Sequence, residues 1–173
     1  MPGRLLRAAA VAVLPALVSA PAAFADDPPG IEHQPFPCTI PAKPVAVCAT
    51  ITDDSAVAKS RVYFRAAEEK FYSFVEMAFG GLEYCATLPA PREGKLKALE
   101  YYIQATDDGF NTQRTSTYQM LLQPEGACDF PPVEKDSVRA QAIKVFASHP
   151  RQGKKLPDEF LPAGVTWVPA PGR

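Results

Sequence analysis

A period of two governs this chain and limits what it can fold into. Between Val45 and Leu122, apolar residues recur at alternate positions in short runs separated by turn residues. Successive side chains of a strand point to opposite faces, so each run buries one face and turns the other away from the core. The clearest run puts Val45, Val47, Ala49 and Ile51 on one face and Ala46, Cys48, Thr50 and Thr52 on the other. Thr52-Asp53-Asp54-Ser55 ends it with turn chemistry. In Arg61-Val62-Tyr63-Phe64-Arg65, Val62 and Phe64 point inward and Tyr63 outward. Phe71 to Met77 carries apolar groups on both faces, so alternation leaves its core side open. After the breaker Gly80-Gly81, the run Leu82 to Leu88 alternates again, and a loop begins at Pro89-Ala90-Pro91. Leu99, Tyr101, Ile103 and Ala105 then face away from Glu100, Tyr102 and Gln104. A turn at Asp107-Asp108-Gly109 and Asn111 leads to a last run, Thr115 to Leu122. Roughly seven short strands with turns between them predict an all-β sandwich. The 19 prolines fall mostly near the two ends and between the apolar runs, which disfavours long helices.

The first 25 residues read as a signal peptide. Arg4 and Arg7 are positive, Ala8 to Ala20 is a run of Ala, Val and Leu broken by Pro15, and Ala23-Phe24-Ala25 is a small-x-small cleavage site. A membrane anchor is the weaker reading, because the run is short and interrupted. The chain from Asp26 to Arg173 is then 148 residues, enough for one domain with a real core. Residues 26–44 form an extended, Pro-rich lead-in able to contribute an edge strand, 45–128 the sandwich and 129–173 a C-terminal extension. The expected location is periplasmic or secreted, with no membrane insertion after cleavage. Removing Arg4 and Arg7 leaves 16 basic against 19 acidic residues, a formal charge of −3. Basic residues do not cluster, which argues against nucleic acid as a partner.

Cys38, Cys48, Cys85 and Cys128 all lie in the exported part. An even count in an oxidising compartment predicts two disulfides, and spacing does not choose among three connectivities. Two readings of the extension stay open. Asp136 caps a short helix bearing Val138, Ala142, Val145 and Phe146, or Ile143-Lys144-Val145-Phe146 forms a hairpin with Val165-Thr166-Trp167-Val168. The β-rich composition favours the hairpin. Phe160, Leu161 and Trp167 need burial, so the extension is expected to pack on the sandwich.

The segment Val45 to Leu122 resembles the immunoglobulin-like and fibronectin type III-like modules of bacterial exported proteins. The likeness rests on the alternating strand ending in Asp, on Val62-Tyr63-Phe64-Arg65 and on the strand to Met77 followed by Gly80-Gly81. It rests also on Tyr84-Cys85-Ala86-Thr87-Leu88-Pro89 and on Glu100-Tyr101-Tyr102-Ile103-Gln104-Ala105-Thr106-Asp107. The resemblance implies strand B at Val45, C at Arg61, C′ at Phe71, E at Leu82, F at Leu99 and G at Thr115. It places Tyr101 where such folds set a tyrosine hydroxyl against nearby backbone. It also makes B and E neighbours, which implies a Cys48–Cys85 pair on the outer face and leaves Cys38 to join Cys128.

Such modules serve many roles, so function must come from a site. Arg61, Tyr63, Arg65, Tyr72, Phe74 and Tyr102 form the candidate binding set, because outward aromatics on strands C, C′ and F make one strip. The competing reading is that Trp167 and Phe160 of the extension cover that strip. Asp53, Asp54, Asp107, Asp108 and Asn111 lie in turns at one end of the sandwich, since B and F run in the same direction. Clustered hard oxygens hold Ca²⁺, but turn Asp residues more often serve their own backbone, so no metal is the first expectation. His33, in the lead-in, and His149, in a basic loop, read as surface residues. No nucleophile motif or cofactor signature is evident. The expectation is a monomeric, non-catalytic binding or structural module that recognises an envelope or extracellular protein or glycan. A calcium-stabilised accessory module is the alternative, and a small hydrolase or inhibitor the third reading.

Overall fold

The computed structural model describes residues 26–129 and 142–171. The expected signal peptide and the expected helix cap at Asp136 therefore lie outside the described residues. The strands in chain order are β1 (Gly30–Glu32), β2 (Cys38–Thr39), β3 (Val45–Thr52), β4 (Val57–Ala66), β5 (Ser73–Glu76) and β6 (Ala78–Phe79). They continue with β7 (Tyr84–Leu88), β8 (Ala98–Asp107), β9 (Thr112–Arg114), β10 (Tyr118–Leu122), β11 (Ile143–Ala147) and β12 (Val165–Val168). One sheet has the order β1-β3-β7-β6. The other runs β12-β11-β5-β4-β8-β10-β2, with β9 also on β8. The chain is all-β, and one apolar core draws on both sheets.

Alternation sets that core. Val45, Val47, Ala49 and Ile51 of β3 are buried, as are Ala86 and Leu88 of β7. Opposite them lie Val62 and Phe64 of β4, with Leu99, Tyr101, Ile103 and Ala105 of β8. Val62 pairs with Ile103 and Phe64 with Tyr101 across the central antiparallel pair. The ambiguous Phe71–Met77 run is settled by its neighbours. Ser73 and Val75 face inward and are buried, while Phe74 and Glu76 take the other face. A serine can take the inward position because Gln152 Nε2 donates to its Oγ at 2.6 Å.

Three local expectations change. The last run yields β10 alone, and β9, which forms before that run begins, lines the same edge of β8. The lead-in supplies two strands, β1 antiparallel to β3 and β2 parallel to β10. The β11–β12 pair is parallel, not a hairpin. The link between its strands is long enough to return to the starting end, and on the way it buries Leu156 and Phe160 in the core. Phe160 meets the Phe64 ring edge-on at 5.2 Å.

Two disulfides join Cys48 to Cys85 and Cys38 to Cys128. The first links residues directly opposite on β3 and β7. The second spans 90 residues and ties the lead-in to the segment after β10. Both suggest oxidising, extracytoplasmic surroundings. Among the described residues, no helix is long and apolar enough to cross a membrane.

Two stability changes follow from this packing. Phe160→Ala, which removes a ring that is 2% exposed, is expected to cost about 3–5 kcal/mol in urea unfolding. Replacing Cys38 and Cys128 together by Ala is expected to cost roughly 2–5 kcal/mol, because it reopens a long loop in the unfolded chain.

Candidate functional site

The register across β11, β5, β4 and β8 lines up one row of aromatic side chains on the outer face. Phe146 pairs with Phe74, Phe74 with Tyr63, and Tyr63 with Tyr102. The Phe146 and Phe74 rings stack at 4.9 Å, and Tyr63 and Tyr102 at 4.8 Å. Tyr63 and Phe74 are 5.3 Å apart, and Tyr72 meets Tyr102 edge-on at 5.1 Å. All five rings are half-buried. The six candidate residues Arg61, Tyr63, Arg65, Tyr72, Phe74 and Tyr102 thus lie together.

Cations sit on this row. Arg61 lies 4.2 Å from the Phe74 centroid, Arg65 4.4 Å from Tyr72, Arg114 5.1 Å from Tyr102, and Lys144 5.1 Å from Phe146. Arg61 also pairs with Glu76 at 3.2 Å. Arg65 donates Nε and Nη2 to Glu100 Oε2 at 3.0 and 2.7 Å, and its Nη1 donates to the Glu69 carbonyl at 3.0 Å. That guanidinium is held in one pose. Burial, then the neighbouring Tyr63, raises the Tyr102 phenol above its ordinary value, with Arg114 pulling the other way. Phe146, Lys144 and Arg114 were missed because no local pattern ties them to β4. Pairing across strands is what brings them in.

The extension builds this face instead of covering it. Phe160 is in the core, and Trp167 packs against the core cluster from β12, in register with buried Val145. Ser148 Oγ donates to the Tyr72 carbonyl, and His149 stacks on Phe71 at 4.4 Å, so the extension also braces the turn before β5.

The acidic turns do meet at one end of the sandwich. Ser55 Oγ donates to Asp53 Oδ1 at 2.8 Å and is 2.6 Å from Asp108 Oδ1. The Asn111 N–H donates to Asp107 Oδ1 at 2.7 Å. A residue outside the expected set joins them. Asp26, Asp53 and Asp107 each bring a carboxylate oxygen within 4.8 Å of the other two. Asp26 also accepts from Asn111 Nδ2 at 3.1 Å. Desolvation, a hydrogen bond with Asp54 and the charges of Asp107, Asp54 and Asp53 all raise the Asp26 carboxyl above the ordinary Asp value.

His33 is not a surface residue. It is half-buried under β8, beside Tyr101 and Tyr118. Its Nδ1 lies 2.7 Å from the Cys48 carbonyl, and its Nε2 2.7 Å from Tyr101 Oη. A carbonyl only accepts, so Nδ1 carries the proton, and in the neutral ring Nε2 accepts from the Tyr101 hydroxyl. Through His33, Tyr101 meets the distant lead-in with its hydroxyl. Burial is the main cause raising its phenol well above the ordinary range.

No family model matches the chain, and no curated protein is similar to it. Among solved structures, an engineered protein is similar with 16% identity and a TM-score of 0.43, over 57% of this chain and 21% of its own. A likeness of that degree carries no argument. What the geometry defines is an all-β protein with an aromatic–cationic outer face and an acidic end.

His33 makes stability depend on pH. Burial lowers its imidazole below the ordinary 6.5, against the opposing pulls of the Cys48 carbonyl and Glu83. The unfolded chain then takes up this proton at a higher pH than the folded one. Stability is full above about 6.5 and falls as pH drops below that value, until the folded ring also protonates. From pH 8 to pH 5 the urea midpoint of the parent is expected to fall, below about pH 6.5, by more than that of His33→Gln, so the gap between them narrows. Tyr101→Phe, which strands Nε2, is expected to cost about 1–3 kcal/mol at pH 8.

Proposed function

We propose that this is an exported, non-catalytic binding module of immunoglobulin or fibronectin type III character. Its partner is a protein of the cell envelope or extracellular space. The strand order β1-β3-β7-β6 against β5-β4-β8-β10 supports the fold reading, since it corresponds to A-B-E-D against C′-C-F-G. The disulfides and the leader-like first 25 residues support export.

The aromatic row carries the binding reading. Tyr and Arg are the residues that most often anchor protein interfaces, because each offers a large contact area with a polar handle. Here they are preorganised by stacking and by the Arg65–Glu100 bonds, which lowers the ordering cost of association. A protein fits better than a glycan for a geometric reason. Sugars stack on open ring faces, and these faces are engaged by neighbouring rings and by Arg61, Arg65, Arg114 and Lys144.

A photo-crosslinking residue replacing Gln104 on this face is expected to yield a discrete protein adduct in the native host. The same residue replacing Glu32, on the opposite sheet, should yield none. Tyr102→Ala is expected to weaken the interaction at least about tenfold. Binding to polysaccharide without a protein adduct would assign a glycan instead. The absence of both a protein adduct and polysaccharide binding would overturn the reading.

A further inference from the structure

The inward rows of the two sheets both end in an acid. On β3 the buried series Val45, Val47, Ala49 and Ile51 is followed at the next inward position by Asp53. On β8 the series Leu99, Tyr101, Ile103 and Ala105 is followed by Asp107. Two carboxylates thus converge where the core meets solvent, and Asp26 of the lead-in closes over them.

We propose that Asp26, Asp53 and Asp107 form a calcium site. The independent sign of a ligand is Asp107 itself. It is only 1% exposed, and while its Oδ1 accepts from Asn111, its Oδ2 is buried without a hydrogen-bond partner among the described residues. Asp53 repeats the arrangement. Its Oδ1 accepts from the Ser55 N–H at 3.0 Å and from the Ser55 hydroxyl, and its Oδ2 is likewise buried and unpartnered. In each residue one oxygen serves its own turn and the other is left over.

Burying an ionised carboxylate without a partner is costly, and three together repel one another. No ion pair among the described residues reaches Asp26, Asp53 or Asp107. A cation between the oxygens removes both costs. Ca–O distances of about 2.3–2.6 Å allow one ion to bridge oxygens up to about 5 Å apart, as these are. The donors are all hard oxygen, which excludes a thiolate- or imidazole-type zinc centre. Mg²⁺ demands a tighter octahedron and keeps more of its water, so the larger ion suits carboxylates from three separate segments. Extracellular modules of this kind bind calcium at roughly 0.1–1 mM.

The test uses the full chain, expressed with its leader, purified after export and stripped with EDTA. Calorimetric titration with CaCl₂ is expected to give one site with Kd about 0.1–1 mM. At 10 mM, Ca²⁺ is expected to raise Tm by roughly 5 °C, and NaCl of equal ionic strength is not. Asp26→Asn, an exposed position with little risk to folding, is expected to weaken binding at least tenfold and leave the EDTA-state Tm unchanged or higher. Asp107→Asn is expected to abolish binding. No heat up to 10 mM Ca²⁺, equal affinity in Asp26→Asn, or an equal Tm rise with MgCl₂ or NaCl would each overturn the proposal.

Discussion

Everything in this structure leans on the antiparallel pairing of β4 with β8. Both are ten-residue strands. They cross the middle of the larger sheet, with β5 on one side and β9 and β10 on the other. On the inner side their pairing sets Phe64 against Tyr101 and Val62 against Ile103, which is the centre of the core. On the outer side the same register sets Tyr63 against Tyr102 and Arg65 against Glu100. A slip of one residue would exchange the two faces, leaving Phe64 in water and Arg65 in the core. The aromatic face and the hydrophobic core are therefore two sides of one registration. The register shift between Val57 and Lys59 falls beside Asp107, where the inward row stops being apolar.

The termini take part in this arrangement. The lead-in brings His33 beneath Tyr101, Cys38 to Cys128 and Asp26 to the acidic end. The extension adds Phe146 to the aromatic row and Phe160 to the core. Each contact joins segments far apart in sequence, so no local pattern announces it. The long-range disulfide has the same character. It restrains the unfolded chain and returns the lead-in to β10.

Much of the core was legible because burial and periodicity are local. Val45 to Ile51 and Leu99 to Ala105 state their inward faces by alternation alone. The outward direction of Tyr63 and Tyr102 follows by the same rule. Phe71 to Met77 was unreadable because both its faces are apolar, and the inward one includes a serine whose partner, Gln152, comes from the extension. His33 looked superficial for a similar reason: its partners, the Cys48 carbonyl and Tyr101 hydroxyl, lie on other strands. Asp53 and Asp107 read as turn residues at one end of the sandwich, and their place at the ends of the inward rows emerges only in the structure. Nothing near Asp26 signalled that it would meet them.

The sequence by itself determined the main strand runs, the buried sides of those at Val45, Arg61 and Leu99, and the residue types available on the outer face. These follow from the two-residue repeat of a strand and from the cost of exposing apolar surface, and both act between near neighbours. Tertiary structure alone decided the sheet order, the parallel docking of β12, the Phe146–Phe74–Tyr63–Tyr102 row and the meeting of Asp26, Asp53 and Asp107. Those depend on which distant strands pair and in what register. That choice is made by the packing of the whole core, which no single run of residues encodes.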